Sequence, residues 1–442
     1  MPINILDNYK DKKIGFVGLG ISNMPIAEMM SKRGIDVTLR DRKPQNAMKG
    51  FRCFFGDDYL QNIDEDILFL APAINIARLP ELQSAQSRGV ILTTEMEEFF
   101  KLCPCLKIGV TGSDGKTTTT TLIAKMLEHA GKRVFLGGNI GANLFCRLED
   151  MTPNDIAVCE LSSFQLIKMN MSPDIAVLKN IAPNHLDWHT DMDEYVDAKK
   201  NIFRFQNKNG RCVLSADNSY TKSFCAQVIG ELLTTSESPA TNADVLYLHD
   251  GIYVKGEKWL DDSDIFIVGH HNRNNFADAI AALQGLITRD DALAVAKSFS
   301  GVKHRIQFVA EKDGVKYYNS SIDSSPTRTA AALKSFNQKV IVICGGYDKH
   351  IPYEPLGELF CEHAKAAITM GATGEKIRDV LKSSGFNREV LTAEDMHDAV
   401  TKAHKIAKSG DVVILSPASA SFDLYKNFEE RGDIFIREVE NL

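Results

Sequence analysis

Gly109-Val-Thr-Gly-Ser-Asp-Gly-Lys-Thr-Thr-Thr-Thr120 stands between the β-rich run Leu106–Val110 and the helix-like run Leu122–His129. A glycine loop at that junction lets backbone N–H groups converge on a phosphate, and the helix N-terminus adds partial positive charge. Lys116 is placed to reach the outer phosphates, and Thr117 to ligate Mg²⁺. The stretch therefore reads as a nucleoside triphosphate site. It is a variant loop, because Val110 stands where the usual spacing has a glycine and the glycines fall at 109, 112 and 115. A turn that merely starts a helix leaves unexplained a lysine and a hydroxyl directly after the last glycine.

Downstream, strands are expected at Arg133–Leu136, Ile156–Glu160 and Ile175–Asn180, with an amphipathic helix at Met192–Phe205. Strands alternating with helices imply a parallel sheet whose ligands lie at the strands' carboxyl ends. Glu160, His185 and Lys199 fall at or just beyond such ends. A carboxylate there suits a nucleotide-bound Mg²⁺, a hard cation that takes carboxylate and phosphate oxygens; the competing reading is a capped strand end. His185 and His189 have the spacing of a helical zinc pair, but no glutamate follows the first histidine and Pro183 precedes the pair, so zinc is not indicated. Short β-like runs follow between Gly251 and Val268, and Asn272–Leu286 reads as an alanine-rich helix.

Upstream, the strand Lys13–Val17 leads through Gly18-Leu-Gly-Ile-Ser-Asn23 into a helix ending near Lys32 and a strand at Asp36–Arg40, the order of a βαβ phosphate-binding unit. Asn23 occupies the third glycine's slot, and Asp41 lies where an acidic residue would meet a ribose hydroxyl. More alternation follows at Ile67–Ala71, Val90–Thr93 and Glu95–Leu102. Beyond Gly301 a hairpin is expected, Ile306–Ala310 and Val315–Asn319 around Asp313-Gly314. Strands at Val340–Cys344, Ala367–Met370 and Val412–Leu415 complete a third α/β unit.

A chain of 442 residues exceeds one core and suggests about three domains. Its net charge of −7 argues against a nucleic-acid or anionic-membrane footprint, while a local basic pocket stays permitted. Met1–Lys13 has no apolar core behind its charges, and no apolar run approaches ~18 residues, so a cytoplasmic protein is expected. Nine cysteines are spread singly apart from Cys103-Pro-Cys105, whose spacing indicates neither zinc nor a disulfide framework. They read as reduced, mostly buried thiols.

Thr111-Gly-Ser-Asp-Gly-Lys-Thr117, Gly137-Gly-Asn-Ile-Gly141, Glu160–Gln165, Asn180–His185, Ala198-Lys199, Gly269-His-His-Asn272 with Asn275, His304-Arg305 and Leu415-Ser-Pro-Ala-Ser-Ala-Ser-Phe422 together resemble the Mur ligases. The motifs keep the family's order, and the resemblance runs from about Lys13 to the C-terminus. It implies an α/β chain of three domains. These are an N-terminal Rossmann-like domain for a uridine nucleotide (1–104), a central P-loop ATPase-like parallel-sheet domain (105–300), and a C-terminal Rossmann-like α/β domain for the amino acid (301–442). The activity implied is ATP-dependent amide-bond formation in peptidoglycan synthesis. ATP phosphorylates a carboxylate, an amine attacks the acyl phosphate, and a tetrahedral intermediate collapses to amide and phosphate. The implied substrates are UDP-N-acetylmuramoyl-L-alanine and D-glutamate, with ATP and Mg²⁺ as cofactors; the alternative is a Mur-type ligase adding a different amino acid. A monomer with neither nucleic-acid partner nor membrane insertion is expected.

The resemblance also distributes roles. Lys116, His185 and Lys199 would be catalytic, and Gly112, Ser113, Asp114, Gly115, Lys116, Thr117, Thr118, Asn272, Asn275 and Arg305 would bind ATP. Thr117 and Glu160 would hold one magnesium, and His185 with a carbamylated Lys199 a second, since an ammonium would repel the ion and a carbamate offers anionic oxygens. Gly18, Gly20, Asp41 and Arg42 would take the uridine diphosphate, and Asn139, Ser162 and Gln165 the muramoyl-peptide part. Lys349, Ser421, Phe422 and Phe428 would form the D-glutamate pocket, where a lysine pairs with an acidic amino acid. For both phenylalanines core packing is the competing reading.

One segment departs from the family. Where many relatives read Asn-Asp-Ser-Lys-Ala-Thr-Asn, this chain has Asn319-Ser-Ser-Ile-Asp-Ser-Ser325. Ser320 replaces an aspartate expected near the ATP ribose and Ile322 a lysine expected near the glutamate carboxylate; Arg328 or Lys349 is the candidate replacement charge. Two other classes remain open here. A nucleotide-gated binding protein would leave His185, Lys199 and Lys349 idle, and a nicotinamide-dependent oxidoreductase built on residues 13–41 would leave the central loop unexplained.

Overall fold

Continuous apolar runs such as Ile156-Ala-Val-Cys159 suit strands covered on both faces, and the computed structural model, which describes residues 5–442, places them at the centre of parallel sheets. Met1–Asn4, the start of the expected first domain, lie outside the described residues. The first sheet comprises β1 (Lys13–Val17), β2 (Asp36–Asp41), β3 (Arg52–Phe55), β4 (Ile67–Leu70) and β5 (Ile91–Thr93). All five are parallel in the order β3-β2-β1-β4-β5, so the strand order reverses beside β1, where the glycine turn begins. In such sheets that reversal opens the ligand crevice.

The second sheet holds β6 (Leu106–Thr111), β7 (Val134–Gly138), β8 (Ile156–Glu160), β9 (Ile175–Leu178), β10 (Arg211–Ser215), β11 (Glu231–Ser236), β12 (Val245–Leu248), β13 (Gly251–Val254) and β14 (Glu257–Asp261). Its order is β14-β13-β12-β11-β10-β9-β6-β8-β7. β7 to β12 form the parallel part and β13 and β14 run antiparallel at one edge. β6 lies between β8 and β9, so the loop after β6, Glu160 ending β8 and Lys179-Asn180 following β9 emerge side by side.

The third sheet contains β15 (Gln307–Lys312), β16 (Val315–Asn319), β17 (Val340–Gly345), β18 (Ala364–Met370), β19 (Val390–Thr392) and β20 (Val412–Leu415), in the order β15-β16-β20-β17-β18-β19. β15 and β16 make the expected hairpin. Asp313 and Gly314 sit at φ 51° and 75°, the left-handed pair of a tight two-residue turn. The other neighbours pair in parallel, so all three sheets are α/β.

The described residues divide into two compact units, one running up to residue 262 and including 274–295, the other made of residues 263–273 and 296–442. The first unit carries two of the sheets, and one apolar core runs through both. Phe16 stacks on Phe69 at 5.0 Å between ring centres, and Phe69 and Tyr9 both meet Phe145 edge-on at 5.9 and 6.0 Å. In the second unit Val342, Cys344, Phe360, Leu381 and Ile414 bury one face of the third sheet, and Ile343, Ile368, Val413 and Phe435 bury the other.

Candidate active site

The loop Gly112–Gly115 is shaped by the segment that follows β9 and by Tyr195. Ser113 N–H donates to the Asn180 carbonyl at 2.8 Å, and Asp114 N–H to Asn180 Oδ1 at 3.0 Å. The Ser113 hydroxyl donates to the Ala182 carbonyl and accepts from the Ala182 N–H, both at 2.9 Å, and meets the Tyr195 hydroxyl at 2.9 Å. Gly115 starts the helix Lys116–His129 at φ 73°. A Cβ there would come within 2.5 Å of both Asn275 Oδ1 and Lys179 Cε, so only glycine fits between loop and floor. Lys116 Nζ folds back onto the Gly112 and Ser113 carbonyls, each at 2.9 Å, beside a helix N-terminus whose dipole favours an anion. Thr117 is partly exposed and Thr118 buried in the same turn.

Glu160, 2 % exposed, ends β8. Its Oε1 accepts from Asn139 Nδ2 at 2.8 Å, and its Oε2 is buried with no hydrogen-bond partner. Lys199, 1 % exposed on the helix Met192–Arg204, donates to the Gly112 carbonyl at 2.8 Å and to Thr111 Oγ1 at 3.3 Å. Burial, followed by the charge of nearby Lys116, holds its amine well below the ordinary lysine range. His185 is exposed in a left-handed conformation, φ 56°, with its ring 4.9 Å from that of Phe164. Partial desolvation of the ring, followed by the charges of Lys116 and Lys199, lowers its pKa and favours the neutral imidazole at pH 7. His189 is a different case: buried, with Nδ1 at 3.1 Å from Glu194 and Nε2 at 3.0 Å from Ser163, it has no nitrogen left for zinc.

One feature behind the loop carries no sequence motif. Lys179 and Asp278, 3 % and 1 % exposed at their side chains, form a buried ion pair; Lys179 also donates to Asn274 Oδ1 at 2.9 Å, and Asp278 accepts from Thr235 at 2.7 Å. The Lys179 methylenes form the floor beneath Gly115, and Asn275, from the same helix as Asp278, accepts from Thr119 at 3.3 Å. Ser162 and Gln165 answer each other in a capping box: the Ser162 hydroxyl and N–H both donate to Gln165 Oε1 at 2.9 Å. The S-x-x-Q spacing before an apolar run was the available signal.

At the first sheet Gly18 turns at φ 83°, and a Cβ on Gly20 would meet nothing within 4 Å, leaving the backbone open to a ligand. Asp41 accepts from Leu19 N–H at 2.7 Å and Lys43 N–H at 2.8 Å, so its carboxylate holds the glycine turn; Arg42 is exposed beside it. Asn23 fills the third glycine's place by sending its amide to the carbonyls of Val17, Gly18 and Phe69 at 3.2, 2.9 and 3.2 Å, which joins the ends of β1 and β4.

The second unit contains Asn272, whose amide donates to the Val268 carbonyl at 2.6 Å, and partly buried Arg305. Lys349 Nζ donates to Ser324 at 3.2 Å and Arg328 to the Ile322 carbonyl at 3.1 Å, so both replacement cations meet the divergent segment. Ser320 is fully buried and accepts from Ile306 N–H at 3.2 Å. Ser421 is buried and Phe428 half-buried, edge-on to His304 at 6.0 Å. Phe422 is 64 % exposed against Tyr347, so the core-packing reading fails for it.

Residues 110–283 match the Mur ligase middle domain, and residues 304–419 the Mur ligase, glutamate ligase domain. A UDP-N-acetylmuramoylalanine–D-glutamate ligase of Ruminiclostridium cellulolyticum is 44% identical over 453 residues, 98% of this chain and 97% of that protein. One of Clostridium acetobutylicum is 42% identical over 450 residues, with the same coverage, 98% and 97%. Among solved structures, UDP-N-acetylmuramate-alanine ligase MurC from Thermotoga maritima is similar with a TM-score of 0.61 at 19% identity, over 97% of this chain and 99% of that one. MurF ligase from the same organism, in complex with ADP, is similar at 0.57 and 18% identity over 99% of each. A phosphate loop built on β6, flanked by the carboxyl ends of β8 and β9, thus comes with sequence likeness over nearly the whole length, and the chain belongs to the Mur ligase family.

Proposed function

We propose that the chain is an ATP-dependent carboxylate–amine ligase that adds D-glutamate to UDP-N-acetylmuramoyl-L-alanine, forming ADP and phosphate, in peptidoglycan synthesis. The observation that carries it is the cluster at the ends of β6, β8 and β9: the loop with Lys116, the unpartnered Glu160 oxygen and the buried Lys199 amine. Full-length relatives named as D-glutamate ligases support the choice of amino acid. Phosphoryl transfer to a carboxylate needs positioning and charge neutralisation more than covalent help, which Lys116 and the helix N-terminus provide.

Among the described residues no group of three His, Cys, Asp or Glu side chains is gathered to hold a metal. Mg²⁺ needs none, because it is bound through one or two carboxylates together with substrate phosphates and water. The free Glu160 oxygen and the Thr117 hydroxyl fit that demand, and bound there the ion would neutralise charge on the transferring phosphoryl group. His185, neutral, and Lys199 would serve a second ion. Burial lowers the Lys199 pKa and so enlarges the fraction of neutral amine, the form that adds CO₂ to give a carbamate and a proton. Asp41, Arg42 and the glycine turn would take the uridine diphosphate, Asn139, Ser162 and Gln165 the muramoyl-peptide part, and Asn272, Asn275 and Arg305 the nucleotide. Lys349, Ser421, Phe422 and Phe428 would take D-glutamate. No helix among the described residues is long and apolar enough to cross a membrane. A reaction that consumes ATP and a UDP-sugar belongs in the cytoplasm, and we expect a monomer there.

The test is ADP formation with UDP-N-acetylmuramoyl-L-alanine across a panel of amino acids. The expected result is turnover with D-glutamate that requires the uridine-linked acceptor; faster turnover with another amino acid, or ADP release without the acceptor, overturns the assignment.

A further inference from the structure

Cys103-Pro-Cys105 takes part in none of these roles. It connects the helix Glu95–Leu102 to β6, the strand that carries the phosphate loop. Cys103 closes the helix with its N–H on the Phe99 carbonyl at 2.8 Å, its backbone then turns extended, and the proline ring fixes the next φ. The geometry brings the two sulfurs to 3.4 Å. A disulfide requires about 2.0 Å between sulfurs, so closure brings them about 1.4 Å nearer. No other pair of cysteine sulfurs among the described residues is recorded in contact, and all nine thiols are free.

The two thiols are unequal. Cys103 is partly exposed, and the Cys105 S–H beside it, with a smaller contribution from Lys107, holds its pKa below the ordinary thiol range. Cys105 is 4 % exposed, and its neighbour's thiolate together with burial pushes its pKa up. That is the asymmetry of an attacking and a resolving thiol. By contrast Cys159, Cys212 and Cys344 are fully buried with raised pKa values.

We propose that Cys103 and Cys105 form a thiol–disulfide exchange site that closes to an internal disulfide at the expense of a low-molecular-weight disulfide of the glutathione class. The Cys103 thiolate attacks one sulfur of that disulfide, its S–S bond breaks, and one equivalent leaves as a thiolate that takes up a proton. Cys105 then loses its proton and attacks Cys103 Sγ, expelling the second equivalent. Two cysteine thiols are oxidised and one external disulfide is reduced to two thiols. Disulfides in reducing compartments are usually transient ones of this redox-responsive kind.

The experiment equilibrates the full-length chain in glutathione buffers of graded oxidised fraction, quenches with acid, alkylates free thiols and maps peptides by mass. The expected result is loss of both alkylation sites in the peptide containing residues 103–105 before any other cysteine reacts. In Cys105→Ser, glutathione is trapped on Cys103. Alkylation of both residues at buffers that oxidise other cysteines, or an adduct in Cys105→Ser on Cys53, Cys225 or Cys361 instead, overturns the proposal. The unsubstituted chain decides the first outcome alone, so the conclusion does not depend on a variant that folds poorly.

Discussion

Burial pulls the Lys199 pKa down, and the side chain's nitrogen faces a hydroxyl and a carbonyl. If its amine becomes a carbamate, Lys199→Ala lowers the rate of ADP formation by on the order of 100-fold or more, the scale of losing one charge-stabilising group. A small carboxylate such as acetate then restores part of that rate. Undiminished activity in the variant contradicts the assignment. Asp323 tests residue-level electrostatics in the second unit. Burial raises its carboxyl to about 6 from 3.8, against the hydrogen bonds from Ser320 and Ser416. Because the folded pKa lies above the unfolded one, the folded chain binds the extra proton between those values, and the group's contribution to stability falls as pH rises from about 4 to about 6. The whole swing is about 3 kcal/mol at 1.36 kcal/mol per unit. Asp323→Asn removes it, so the variant's stability relative to the parent increases across that window in urea unfolding. A constant difference at all pH values contradicts the buried-acid reading.

At the scale of elements, the phosphate loop is held from below as well as along the chain. Lys179 continues β9, and its partner Asp278 lies 99 residues later on another element. A lysine ending an apolar strand signals that some partner must exist, but spacing alone cannot find one so distant. Asn23 and the Ser162–Gln165 box are local, and there the residue pattern held the information. The three strands β10 to β12 are the largest gap between sequence reading and structure. Runs of four to six residues such as Val245–Leu248 are set by pairing with neighbours more than by their own periodicity. The Lys179–Asp278 pair gives a sharp energetic expectation. Lys179→Met strands a buried carboxylate and costs about 3–5 kcal/mol in urea unfolding, whereas Lys179→Met with Asp278→Ala costs much less than the two single changes summed. Additive losses would show that the pair is not coupled.

For the whole molecule, what was legible was the alternation itself: β1, β8 and β20 match the expected ranges because buried parallel strands leave continuous apolar runs ended by turn residues. The sequence did not show that the first two sheets share one core, since Phe69 and Phe145 meet only through tertiary packing. If each sheet brings its own ligand, lesions should separate kinetically. Asp41→Ala frees the Leu19 and Lys43 amides and loosens the glycine turn, so it raises KM for the uridine-linked acceptor with KM for ATP unchanged. Lys349→Ala removes one charge-assisted contact of about 1.5–3 kcal/mol, raising KM for D-glutamate roughly 10- to 100-fold. Lys116→Met ends turnover while acceptor binding, read by calorimetry, persists. Matched increases in all three KM values from either of the first two changes would mean that the ligands are not divided among the sheets, because a lesion confined to one sheet's carboxyl end has no route to the others' binding energies.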